Sequence, residues 1–127
     1  MEGSKKAKHY KELLVWQKGM ALAREIYELT GGYPSNERFG LTAQMRRAAV
    51  SVPSNIAEGQ ARHGTREFLQ FLSHSSGSLA ELETQILLSA ELGYGGKAAV
   101  QDVLSRIAEL QNMLRSLKCS LEALASH

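Results

Sequence analysis

The 127-residue chain carries 15 Lys and Arg against 13 Asp and Glu, a net charge of +2, with 43% apolar and 22% charged residues. That balance excludes a disordered chain and a strongly basic nucleic-acid binder, and the length suits one domain burying about two-thirds of its unfolded surface. The single cysteine, Cys119, excludes an internal disulfide framework and a Cys-rich zinc site.

Residues 1–9 read as a disordered basic tail, ahead of a single domain over residues 10–127. No apolar segment follows the lysines, and no run reaches the ~18 residues that span a bilayer. No membrane association is therefore expected, and the cytoplasm is the expected compartment.

Glycine and proline then divide the chain into four helical stretches. The first runs from Lys11 to Thr30 and stops at Gly31-Gly32-Tyr33-Pro34-Ser35. The second spans Glu37 to Ala61, with Ser35 or Asn36 as its cap. The third runs to Leu92, with Thr65 as its cap, and Gly93-Tyr94-Gly95-Gly96 ends it. The fourth covers Lys97 to Ala125.

The fourth stretch has the cleanest pattern. Val100, Val103, Ile107, Leu110, Leu114, Leu117, Leu121 and Leu124 step by three and four, a seam that demands a partner along its length. The third answers with Phe68, Leu72, Ser75, Leu79, Leu82, Ile86 and Ser89, and the second with Leu41, Met45, Ala48, Val52 and Ile56. Residues Ser73 to Ser78 are poor helix formers but small, so a neighbouring backbone can approach them closely. The fold class is all-α, an up-down-up-down four-helix bundle.

Helix one carries two apolar stripes. Leu13, Trp16, Met20, Ala23 and Tyr27 form one; Val15, Leu22, Ile26 and Leu29 form the other. Together they cover roughly 200° of the helix, about twice what a surface helix needs. Either this helix is deeply packed within its own bundle, or the surplus stripe is a subunit interface. The second reading is preferred, because bundles leave each helix's outer face wet.

The middle of the chain is polarised. Residues 38–66 hold Arg38, Arg46, Arg47, Arg62 and Arg66 against Glu58 alone, whereas residues 67–91 hold only Glu67, Glu81, Glu83 and Glu91. Pro53 interrupts the second helix and should bend it. Around it Arg47, Ser51, Asn55, Glu58 and Arg62 fall on one strip beside the core edge. Such a strip is a hydrogen-bonded seam to another helix or subunit, or a ligand groove. Glu58 and Arg62, four apart, can also simply pair.

No residue set suggests catalysis, and the expectation is a non-enzyme without metal or cofactor. His9, His63, His74 and His127 show no metal-ligand spacing, and the Glu-x-x-His of di-iron bundles is missing. Glu81 and Glu83 lie on different helix faces and make no acid pair. Cys119, one residue off the seam, reads as a semi-buried, inert thiol.

Several segments together resemble one bacterial family. Ser51-Val52-Pro53-Ser54-Asn55-Ile56-Ala57-Glu58-Gly59 with Arg62 is the most specific. Leu14-Val15-Trp16-Gln17, Phe39-Gly40-Leu41-Thr42, Gln44 to Ala48, Gly77 to Thr84 and Leu92-Gly93-Tyr94 also match. The chain resembles, over about residues 10–120, the four-helix-bundle proteins encoded in intervening sequences of bacterial 23S rRNA genes. It is also similar to the accessory variability protein of diversity-generating retroelements, a pentameric nucleic-acid binder that works beside a reverse transcriptase. The resemblance implies a ring-like homo-oligomer, a pentamer, of four-helix bundles with no defined activity. It marks Pro53, Asn55, Glu58, Gly59 and Trp16 as a structural or interface motif.

Two functions of different class follow. One is a nucleic-acid-binding accessory protein, with RNA or DNA held by Arg38, Arg46, Arg47, Arg62 and Arg66 and by Lys5, Lys6 and Lys8. Repetition around a ring would multiply a modest patch. The plainer reading of each arginine is a solvated charge or an intrahelical pair. The other function is an adaptor ring that scaffolds a protein such as a reverse transcriptase, through the spare apolar face and the acidic third helix. A small-ligand site along the strip from Arg47 to Arg62 is a third, lesser reading.

Overall fold

A computed structural model describes residues 9–125. The tail lysines Lys5, Lys6 and Lys8, and His127, lie outside the described residues. Four helices, α1 (Leu14–Thr30), α2 (Leu41–Ala61), α3 (Thr65–Glu91) and α4 (Lys97–Ala125), make up the fold, with no strand among the described residues. Short 3₁₀ turns at Tyr10–Glu12 and Ser35–Glu37 precede α1 and α2.

The pairing of distant residues gives the topology. Gly59 lies against Phe68 and Phe71, and Ser89 Oγ meets Met45 Sδ at 3.5 Å, so α2 and α3 run antiparallel. Lys18 pairs with Glu109 and Glu25 with Arg106, so α1 and α4 also run antiparallel. Each helix lies beside two neighbours, and among the described residues the backbones of the diagonal pairs do not come close. This is the up-down-up-down bundle.

The core follows the periodic residues. Leu22 and Ile26 of α1, Met45, Val52 and Ile56 of α2, Leu72, Leu79, Leu82 and Ile86 of α3, and Ile107, Leu110 and Leu114 of α4 are almost wholly enclosed. The serine-rich stretch of α3 is used for cross-links. Ser75 Oγ donates to the Val52 carbonyl at 2.9 Å, beside Pro53, while Gln111 and Lys118 of α4 donate to Ser76. These bonds explain how a run of weak helix formers stays helical inside a bundle.

Three boundaries differ from the sequence reading. Helix one begins at Leu14, since residues 10–12 form a 3₁₀ turn capped by His9, whose Nδ1 accepts from the Lys11 amide. Helix two begins at Leu41 rather than Glu37, with Gly40 as its cap and neither Ser35 nor Asn36 involved. Its first N–H is instead satisfied by the Glu37 carboxylate, which reaches forward to Leu41 N at 3.1 Å. For α3 the cap is Gly64, and Thr65 is already helical.

The α4 seam is closed only in part. Val100 to Leu114 are buried, Leu117 and Leu121 are half-buried, and Leu124 is 66% exposed. The reason is length. With Lys18 opposite Glu109, the α1 start at Leu14 lies near residue 113 of α4, and beyond it α4 has no α1 to pack on. Cys119 lies in this overhang and is exposed, which corrects the semi-buried expectation.

Candidate functional site

The two stripes of α1 separate only in part, since Ala23 of the first is itself in the core and Leu29 of the second is half-buried. Val15, Leu22 and Ile26 enter the core, while Trp16, Met20 and Tyr27 stay at the surface beside α2. There they line an open, largely apolar groove of about 400 Å³ with Tyr10, Val50, Pro53 and Ala57. Gly19 of α1 faces Val52 and Pro53 of α2, where a Cβ would stand at ordinary contact distance, 3.4 Å from Val52 and 3.5 Å from Pro53. Tyr10 packs edge-on against Trp16 at 5.3 Å. The spare stripe is thus half of a groove whose other wall is the Pro53 segment, and Pro53 itself is buried in an unbroken α2.

The polar strip beside Pro53 is stitched along its own helix. Ser51 Oγ donates to the Arg47 carbonyl at 3.1 Å, and Asn55 Nδ2 to the Ser51 carbonyl at 2.8 Å. Glu58 and Arg62 form an i, i+4 pair at 2.7 Å, and the Arg62 guanidinium lies 5.0 Å from the centre of the Phe71 ring. His74 is exposed and sits edge-on to the same ring. Gly59 is the tight point, where α3 crosses close enough that a Cβ would stand 2.6 Å from Phe71 Cβ.

The five arginines do not form one patch. Arg38, Arg46 and Arg47 lie at the end where α2 begins, and Arg62 and Arg66 at the opposite end. The 1.5 Å rise puts Arg46 and Arg62 about 24 Å apart along α2. Arg46 has a structural task. Its Nε donates to Thr30 Oγ1 at 2.9 Å, its Nη2 donates to the Tyr27 carbonyl at 3.2 Å, and its plane covers the Tyr27 ring at 4.5 Å. A cation thereby closes the negative end of α1 and ties it to α2. Arg46→Ala is expected to cost about 1–2 kcal/mol in urea unfolding. Arg47→Ala should stay within about 0.5 kcal/mol. Equal effects would mean that the Arg46 bonds add nothing to the fold.

Arg38, Arg47 and Arg66 are exposed and make no ion pair within the described residues. Arg38 lies 5.3 Å from the centre of the Phe39 ring, which is 87% exposed. Three of the five arginines therefore sit over aromatic rings, a feature the charge count missed. Only the Arg38-Phe39 adjacency was legible along the chain; the Tyr27 and Phe71 partners come from other helices.

The segment carrying Phe39 is anchored by Glu37. One carboxylate oxygen accepts from Leu41 N, and the other accepts from the Tyr94 hydroxyl at 3.1 Å. That hydrogen bond, with the charge of Glu37, holds the Tyr94 phenol above its ordinary pKa. Tyr94 packs in turn against Tyr33, whose phenol is pushed up by burial. Elsewhere, Arg106 bridges Glu25 and Asp102 at the rim of a groove of about 500 Å³ between α1 and α4. Among the described residues no three His, Cys, Asp or Glu side chains converge as metal ligands, and no helix is long and apolar enough to cross a membrane.

The family model described as 23S rRNA-intervening sequence protein matches residues 11–116 of the chain. No curated protein matches it.

Proposed function

The chain belongs to the 23S rRNA-intervening sequence protein family, and from that premise we propose that it is a non-enzymatic, homo-oligomeric accessory protein that binds nucleic acid. The observation that carries the binding is that three of the five arginines of the 38–66 segment, Arg38, Arg47 and Arg66, are exposed and find no carboxylate within the described residues. Arginines with intramolecular work, Arg46 and Arg62, frame them but are already engaged. Three free charges split between two ends of one bundle make a weak site. Several copies in a ring, a pentamer on the family resemblance, would add their fields and contacts. The groove lined by Trp16, Met20, Tyr27, Val50 and Pro53 offers the apolar surface for joining subunits.

The test is the salt dependence of RNA binding. Wild type should bind a labelled structured RNA at low salt and lose affinity steeply as salt rises. Arg47→Glu with Arg66→Glu should abolish binding while leaving the thermal melt unchanged. Binding that ignores salt, or none at micromolar protein, overturns the reading. The same apolar groove also suits the alternative, a scaffold ring that holds a protein partner without touching nucleic acid. That alternative predicts a partner that co-purifies with wild type and is lost with Trp16→Ala.

A further inference from the structure

Phe39 is the most exposed large apolar side chain among the described residues, at 87%, yet its surroundings are ordered. The Arg38 amide donates to the Ser35 carbonyl at 3.1 Å, and the Gly40 amide to the Glu37 carbonyl at 3.0 Å. The Glu37 carboxylate is tied on both oxygens, to the first N–H of α2 and to Tyr94 across the bundle end. Its charge faces the positive end of α2, which offsets it locally. A ring held out on a backbone fixed from both sides loses little freedom on contact with a partner. Arg38 accompanies that ring at 5.3 Å and makes no ion pair among the described residues.

We infer that Phe39, flanked by Arg38, is a stacking platform for an unpaired base, so that the protein prefers single-stranded to duplex RNA. This rests on the nucleic-acid reading above. An aromatic ring this open to water gains from covering its remaining surface with another π surface, and every base supplies one. In a duplex those faces are already stacked on their neighbours, so only single strands, loops and bulges can use the ring. Arg38 provides the charge for the adjoining phosphate, and Arg47, about 9 Å further along the α2 axis from Leu41, is another exposed cation at the same end of the bundle. Among the described residues no aromatic ring pairs with Phe39. The other two arginine-covered rings are less open, Tyr27 at 46% exposure on the wall of the α1–α2 groove and Phe71 half-buried where α3 crosses Gly59.

The experiment is fluorescence anisotropy at low salt with two probes, a labelled oligouridine and a labelled RNA duplex of equal length. Wild type should bind the single strand more tightly. Phe39→Ala should weaken single-strand binding about tenfold, leave duplex binding unchanged, and keep the wild-type melt and mass by light scattering. Phe39→Trp should keep or tighten it. Single-strand binding that survives Phe39→Ala intact overturns this inference while leaving the nucleic-acid reading in place. Failure of wild type to bind either probe overturns both. A change of mass in Phe39→Ala would assign the ring to a subunit contact and overturn the stacking role.

Discussion

Leu110→Ala is expected to lower the free energy of unfolding by about 2–5 kcal/mol, whereas Leu124→Ala should change it by no more than about 0.5 kcal/mol. Both leucines belong to one uninterrupted seam in the sequence. Leu110 is 1% exposed, enclosed where α4 meets α1 and α3, so removing its branched end leaves a cavity that a close-packed bundle cannot refill. Leu124 stands past the reach of α1, and its methyls already face water. Urea denaturation at fixed protein concentration measures both. Similar losses at the two sites would show that another chain covers the α4 overhang and buries Leu124 in the assembly.

The second large effect is at Gly59. A methyl there would meet Phe71 Cβ at 2.6 Å and Phe68 Cδ1 at 3.0 Å. Phe71 Cβ is fixed to its own helix backbone, so α2 and α3 must separate. Overpacking of this kind costs about 1–3 kcal/mol, and the ~1 kcal/mol gained by placing alanine in a helix interior recovers only part of it. Gly59→Val should be worse, since it adds two methyls at the same contact and loses alanine's helix preference. Gly77 is the control, because nothing lies within 4 Å of the position its Cβ would take. Gly77→Ala should therefore stabilise by about 0.5–1 kcal/mol. Opposite signs at two glycines in neighbouring helices would locate the close crossing; a stabilised Gly59→Ala would place it elsewhere.

Much of this protein was legible along the chain. The number of helices, the four core stripes, the turns at Gly31-Gly32 and Gly93 to Gly96, and the limits of α4 all follow from periodicity and breakers. Those signals are local, acting within a turn or two of helix, so they survive without knowledge of neighbours. The Glu58–Arg62 pair was legible for the same reason, being one turn apart. The beginning of α2 was not. Its orphan N–H is satisfied by Glu37 from outside the helix, a substitute for the expected Ser or Asn cap that depends on the path of the preceding turn.

The candidate site was less legible than the fold. Sequence named five arginines as equivalents, because a charge count cannot see what each guanidinium meets. Folding made Arg46 a cap for α1, engaged Arg62 with Glu58 and Phe71, and left Arg38, Arg47 and Arg66 without an ion pair among the described residues. It also set the two arginine groups at opposite ends of α2 and put the spare stripe of α1 opposite Pro53 to make one groove. The sequence by itself determined which residues are helical and which face of each helix is apolar, since both are set by neighbours within a few positions. Only the tertiary structure decided how far each apolar face is covered and which charges remain unspent. Those outcomes depend on relative helix lengths and on contacts between residues tens of positions apart, as Leu124, past the end of α1, and Arg46, bonded to Thr30, show.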